Sequence, residues 1–199
     1  MITRITPSLP TPLPQGGEGS KRAALLLALL TLAAAPPGRL TSGPQAVTAK
    51  IGAFNPLNVT GEHAGKKHSL VAAYGARPVV MVLARSVSAE LTDLIKTVEA
   101  AAVKHEKAQL AAFVVVCGAD DKTKARLEEL AKELKLKKTV LTLLPDKAGP
   151  KGYDFHPDAD VQVVVYVKRN ARAQLAYKKG ELKEKDVEAA LAKVLPGKK

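Results

Sequence analysis

Pro78-Val79-Val80-Met81-Val82-Leu83-Ala84-Arg85-Ser86-Val87-Ser88-Ala89-Glu90 is the stretch that decides how this chain folds. Its first seven residues form an unbroken apolar run with no polar side chain at alternate positions. A strand with one wet face alternates, whereas a strand covered on both faces does not. The run therefore predicts a central strand of a sheet held between two layers. The chemistry then changes. Ser86 or Ser88 can accept from the open N–H groups of a first helical turn, and Glu90 suits the positive end of a helix. Leu91, Leu94, Ile95, Val98 and Ala102 recur at helical spacing and define one apolar face.

Moving toward the C terminus, Leu110 to Cys117 reads as a second buried strand. Gly118-Ala119-Asp120-Asp121 turns it into a helix with Leu127, Leu130, Ala131 and Leu134 inward, and Thr139 to Leu144 is a short third strand. Short joints in a strand–helix–strand–helix–strand order imply parallel pairing and right-handed crossovers. Pro145 to Ala159 is a loop rich in Pro, Gly and Asp. Val161–Val167 and Ala171–Tyr177 predict a hairpin across Lys168-Arg169-Asn170, with Asn170 suited to the positive φ of a tight turn. After Gly180, the spacing of Val187, Ala190, Leu191 and Val194 predicts a last helix stopped at Pro196-Gly197.

Moving toward the N terminus, Tyr74 to Arg77 is a turn. Residues 54–60 and 66–71 read as two short extended segments around Gly61-Glu62-His63-Ala64-Gly65, an N-terminal hairpin. Residues 1–49 read as a leader ahead of a domain at 50–196. Residues 1–20 are rich in Pro, Gly and Ser and hold no pattern for a core. Gly16 to Lys21 lacks the Gly-Lys-Ser/Thr order and the preceding strand of a phosphate loop. Lys21-Arg22 followed by the apolar run Ala23–Ala35 has the form of a secretory signal, since 13 residues are too few to span a bilayer. Small residues at Ala33-Ala34-Ala35 or Val47-Thr48-Ala49 offer cleavage sites. The expectation is export to the periplasm or cell envelope, with no integral membrane span in the mature chain.

Composition narrows the chemistry. The chain has 199 residues, 46% apolar and 4% aromatic, with no Trp, so its core is built from Val, Leu and Ala. The leader holds four of the basic residues and one acidic residue, which leaves +9 of the net charge of +12 to the rest. Lysines interleave with glutamates, as from Glu128 to Lys138, which reads as solvated helix faces. No aromatic residues alternate with them as a single-strand platform requires, so no specific nucleic-acid partner is expected. Cys117 is the sole cysteine, which excludes an internal disulfide and a zinc cluster.

The order of elements, a parallel βαβαβ half followed by an antiparallel hairpin and a C-terminal helix, resembles the thioredoxin fold. The closing stretch carries it most clearly: Lys168-Arg169-Asn170, the second hairpin strand, Gly180 and Glu184–Leu195. The opening stretch is similar to the redoxin branch, which includes thiol peroxidases and thiol–disulfide reductases. Its matching pieces are Asn58-Val59-Thr60-Gly61, Gly65-Lys66, Ser69-Leu70 and Pro78-Val79-Val80. The resemblance covers about residues 50–196. It implies an α/β three-layer sandwich with a mixed central sheet and an N-terminal β-hairpin extension. It also implies a redox site between the first central strand and its helix, where the helix N terminus favours thiolate and a second cysteine resolves the mixed disulfide. That place holds no cysteine here. The degenerate positions are Val87, Ser88, Ala89 and Glu90. The family's cis-proline position is Val161, where a trans bond is expected because a non-proline cis bond costs ~2.5–4 kcal/mol. A second window compared with a Cys-x-x-Cys has Ser69 and Ala72 instead.

Few other residues carry chemistry. Cys117 closes an apolar strand and reads as a small buried hydrophobe, with a reactive thiol as the alternative. Ser69, Ser86 and Ser88 sit in no Gly-x-Ser-x-Gly elbow and have no histidine at recognisable spacing. His63 and His68 straddle a turn with no expected contact. His156 lies among Asp154, Asp158 and Asp160, a loop that lacks the glycine and downstream glutamate of a calcium site. No cofactor or metal is expected. Two functions remain. The favoured one is an exported, non-catalytic binding or scaffold module for an unnamed protein or peptide, with the 145–160 loop as recognition element. The alternative is a thiol-dependent oxidoreductase using Cys117 or a partner's thiol. A third idea is polyanion or membrane-surface binding through the basic charge.

Overall fold

The computed structural model describes residues 40–47, 50–118 and 120–195. The apolar segment 23–35 and the Pro196-Gly197 stop lie outside the described residues. In chain order the strands and helices are β1 (Gly43–Pro44), β2 (Leu57–Asn58), α1 (Leu70–Tyr74), β3 (Pro78–Ala84), α2 (Ala89–Lys104), β4 (Ala111–Cys117), α3 (Asp121–Glu133), β5 (Thr139–Leu144), β6 (Val161–Val167), β7 (Asn170–Tyr177) and α4 (Glu184–Ala192). One turn of 3-10 helix, Glu106–Ala108, joins α2 to β4.

The seven strands form one mixed sheet in the order β1-β7-β6-β3-β4-β5-β2. β3 lies at its centre, parallel to β4 and antiparallel to β6, and Val79 to Ala84 are wholly inaccessible to solvent. The unbroken apolar run thus has the predicted cause: both faces are covered. Val80, Val82 and Ala84 meet Leu91, Leu94, Ile95 and Val98 of α2, Leu127 and Leu130 of α3, and Val187 and Leu191 of α4. Val79, Met81 and Leu83 point the other way, into a core closed by Leu40 and Ile51, by Leu70 and Val71 of α1, and by Tyr153 and Phe155 of the long loop. The third layer is therefore mostly non-helical chain. This is an α/β fold with a mixed sheet flanked by four helices.

The structure departs from the sequence reading in three places. Leu70 and Val71, read as the end of an extended segment, instead open the short helix α1, which runs on to Tyr74. Ser69 caps α1 by accepting from the Ala72 N–H at 3.3 Å, and the apolar Leu70-Val71 pair packs under the sheet. The N-terminal hairpin persists only as a narrow one, with a single Leu57–Lys67 bridge and the Asn58 N–H donating to Lys66 O. The β6–β7 turn is Lys168-Arg169, with φ of 52° and 60°, while Asn170 pairs with Val167 inside β7. A register shift at Val165/Tyr166 moves the turn by one residue, and the type I′ form of a two-residue hairpin loop needs positive φ at both positions. The third departure concerns the segment counted with the leader. Leu40 is buried, Gly43-Pro44 pairs with Leu175-Ala176, and Gln45 N–H donates to Gln174 O. Residues 40–46 therefore cover the β7 edge as part of the domain.

Candidate functional site

The two segments that the resemblance singles out, the β3–α2 junction and the start of β6, are joined through the residues that flank them. The end of β3 lies beside the start of β6, with Ala84 paired to Val161 and the Arg85 N–H donating to Asp160 O at 3.0 Å. The helix α2 starts four residues later because Ser88 leaves the helical backbone and its Oγ accepts from the Leu91 N–H at 3.1 Å. Of the two candidate caps, Ser88 is the one used. The hydroxyl of Ser86 instead reaches Asp160 Oδ1 at 3.4 Å.

Each degenerate position has a structural job. Val87 packs partly buried against the helical core. Ala89 opens the helix. Glu90 accepts from the Gly180 N–H at 3.0 Å and ties the start of α2 to the loop after β7. Val161 is buried in the sheet between Ala84 and Tyr177. No cis peptide bond occurs among the described residues, so the bond at Val161 is trans.

The residue that organises this place is Arg85, which no local motif in the sequence marks. Its guanidinium donates from Nε to Ala159 O at 2.7 Å, from one terminal nitrogen to Lys147 O, and from the other to His156 O at 3.1 Å. It also lies 4.2 Å over the centroid of the Phe155 ring. Three backbone carbonyls spread across residues 147–159 are thus drawn onto one planar cation at the end of β3. The same loop sends Tyr153 and Phe155 into the core, and Tyr153 Oη donates to Gly52 O. A lone arginine at the end of an apolar strand, followed in space by a loop too long for a simple turn, is the feature that could have exposed this contact.

Cys117 ends β4, the strand next to β3, at the same end of the sheet as Arg85. It is 3% exposed, and its Sγ lies 3.9 Å from Val115 O. Burial pushes the thiol up to about 12; the nearby Arg85 opposes this, and Asp146 adds to it. A thiol in this state is overwhelmingly protonated at neutral pH, and the thiolate is the reactive form.

The remaining candidates do not join this group. Ser69 and Ala72 form the cap of α1, and no hydrogen bond among the described residues links them to 84–90 or 161. His63 and His68, unexpectedly, stack: Gly61 and Gly65 take positive φ, fold the hairpin tightly and bring the ring centroids to 3.7 Å. His156 Nδ1 accepts from the Asp158 N–H at 3.1 Å, an ordinary loop contact. Among the described residues no group of three or more His, Cys, Asp or Glu side chains is placed to share a metal ion.

No protein-family model and no curated protein matches this sequence. Solved structures do match its shape. A DsbF homologue from Corynebacterium diphtheriae superposes with a TM-score of 0.58 at 15% identity, covering 78% of this chain and 94% of that one. A secreted disulfide oxidoreductase from Mycobacterium tuberculosis, homologous to Escherichia coli DsbE, gives 0.52 at 9% identity over 70% and 94%. A yeast mitochondrial 1-Cys peroxiredoxin gives 0.53 at 11% identity over 72% and 73%. Identities this low establish architecture alone. Element order, sheet topology and these superpositions agree that the chain has the thioredoxin-like fold, built here with one cysteine in the whole sequence and an arginine-pinned loop beside the start of α2.

Proposed function

We propose that the protein is an exported, non-catalytic thioredoxin-fold module that binds a protein or peptide partner on the surface formed by residues 85–90 and the 145–160 loop. The observation that carries this reading is the Arg85 anchor. Where a redox member of the fold exposes a thiolate at a helix N terminus, this chain spends three charge-assisted hydrogen bonds on holding a loop in place. A preordered loop costs less conformational entropy on binding, which suits recognition. Thiol–disulfide exchange needs an accessible thiolate, and Cys117 is buried with its thiol raised to about 12. The segment Lys21–Ala35 supports export, and the secreted disulfide oxidoreductase of similar fold is consistent with it.

The test has two arms. Insulin reduction and peroxide consumption by the purified chain should stay at the background rate. Turnover that disappears in Cys117→Ser would replace this reading with the oxidoreductase one. In the second arm, partners crosslinked from an envelope extract should be lost when the exposed loop residues Lys151 and Asp158 are exchanged for oppositely charged ones. Unchanged crosslinking would remove the loop from the proposal. Mass analysis of the protein recovered from the envelope should show that residues 23–35 are gone; a retained segment would refute processing at the leader.

A further inference from the structure

We infer that the end of the sheet opposite Arg85 is a docking surface for an anionic membrane. The inference starts from where the fold puts charge. β3, β4 and β5 are parallel and in register, so the loops that precede them lie at one end of the sheet, and β6 ends there too, since Val167 pairs with Pro78. Those connections are 75–77, 104–110, 134–138 and 168–169. These connections hold eight lysines and arginines and one carboxylate, Glu106; the Glu99 carboxylate of α2 also reaches this end, accepting from the Lys137, Lys138 and Thr139 N–H groups, and Glu62 shares a pocket wall with Arg77, so the cations outnumber the carboxylates there by eight to three. In sequence these cations are spread over nearly a hundred positions and read as scattered; the topology gathers them.

Two of the eight are occupied. Lys138 pairs with Glu106 at 2.6 Å, and Arg169 Nε donates to Ile51 O. The other six, Arg77, Lys104, Lys107, Lys135, Lys137 and Lys168, are exposed and make no ion pair among the described residues. Helix dipoles explain part of this pattern, because cations are favoured near the C termini of α2 and α3. They do not explain Lys168 and Arg169, which sit on a hairpin turn. Lys135, Lys168 and Arg169 also take positive φ, where glycine or asparagine is less strained. Cations kept at positions that disfavour them point to a use for the charge. The other end differs: its connections, 85–88, 118–120, 145–160 and 178–183, hold six lysines and arginines and six carboxylates, a balanced set. The molecule is therefore polar along the strands.

A lipid surface fits this pole better than a nucleic acid does. The cations come from four separate loop ends. The large hydrophobics exposed among the described residues are Val47 and Val103, and Val103 stands beside Lys104 at this pole, with no exposed aromatic side chain present for base stacking. A cleft of about 350 Å³ also opens here between Arg77 and Lys138, with Tyr74 on its wall. No helix among the described residues is long and apolar enough to cross a membrane, so contact would be peripheral. Docked this way, the molecule would turn its Arg85 end and the 145–160 loop away from the lipid. Only that consequence rests on the function proposed above; the binding itself does not.

The experiment is co-sedimentation of the full chain with vesicles of phosphatidylglycerol and phosphatidylcholine in equal parts, against vesicles of phosphatidylcholine alone. Two variants are compared. The pole variant is Lys104→Gln, Lys107→Gln, Lys135→Gln and Lys137→Gln. The control is Lys122→Gln, Lys179→Gln, Lys183→Gln and Lys185→Gln, which removes the same charge from other exposed sites. Both carry the same leader, so its contribution cancels, and circular dichroism melts confirm that both are folded. Each cation near an anionic surface is worth about fivefold in partitioning, so the pole variant should lose roughly a hundredfold or more of its binding to anionic vesicles and the control much less. Raising salt from about 0.05 to about 0.5 M should release the wild type. Equal losses in the two variants would show that net charge, not the pole, drives binding. No preference for anionic vesicles at low salt, or tighter binding to single-stranded DNA at the same salt, would overturn the proposal.

Discussion

Replacing Arg85 with alanine is expected to free the 145–160 loop and to lower stability by about 3 kcal/mol. The figure follows from the contacts. Three hydrogen bonds leave one guanidinium, and bonds from charged groups are worth about 1.5–3 kcal/mol each when buried. Here the side chain is half-buried and water can reach the freed carbonyls, so about 1 kcal/mol each is the appropriate scale. The Phe155 contact adds about 0.5 kcal/mol. For a domain of this size 1 kcal/mol moves Tm by about 2–4 °C, so Arg85→Ala should melt about 10 °C lower. Arg85→Lys keeps the charge but not the planar fork that serves three separated carbonyls, and should recover about a third of the loss. Urea unfolding measures the stability. Hydrogen exchange at the Tyr153 and Ala159 amides, which donate to Pro150 O and His156 O, reports the loop itself. A loss below about 1 kcal/mol together with unchanged exchange at those amides would refute the idea that Arg85 holds the loop.

Further expectations concern other parts of the fold. Glu99 accepts from the backbone N–H groups of Lys137, Lys138 and Thr139, which outweigh the burial that would raise its pKa and hold the carboxyl below its usual range. Its contribution is present above the unfolded glutamate pKa and is lost as pH falls through the lowered folded value. Glu99→Gln should therefore cost about 1–2 kcal/mol at neutral pH and almost nothing in acid, as read by urea melts at both pH values. Cys117 should resist maleimide at mildly alkaline pH until the protein unfolds; fast labelling of the native chain would contradict its burial. Because its folded pKa is raised to about 12, the stability it contributes is full below the unfolded thiol value and declines as pH rises toward the folded one, so Cys117→Ser should flatten the alkaline limb of stability. A chain beginning at residue 50 lacks Leu40 and β1 and should be about 3 kcal/mol less stable than one beginning at residue 40, from lost apolar burial and edge pairing. Equal melting temperatures would return residues 40–47 to the leader. Lys168→Asn should gain about 0.5 kcal/mol in thermal melts by relieving the positive φ of the turn.

Local chemistry was enough for much of the fold. The run at 78–84 fixed a doubly covered strand, the period of Leu91 to Ala102 fixed the face of α2, and the Ser86/Ser88 pair bracketed where that helix starts, because each depends on neighbours a few residues away. The lack of a thiol between β3 and α2 was equally legible, since the absence of cysteine between a strand and its helix is a property of sequence. Where contacts joined distant residues, the sequence was silent or misleading. The short helix after Ser69 depended on a core across the sheet, and the Lys168-Arg169 turn on a register shift. Arg85 looked like any polar residue at a strand end, because its three acceptors lie 62 to 74 positions away. The lysines and arginines looked dispersed, because only parallel pairing with β6 folded back beside β3 brings four separate connections to one pole. Periodicity and capping are local and survive in one dimension; hydrogen-bond partners and the summed field of charges exist only once the chain has closed on itself.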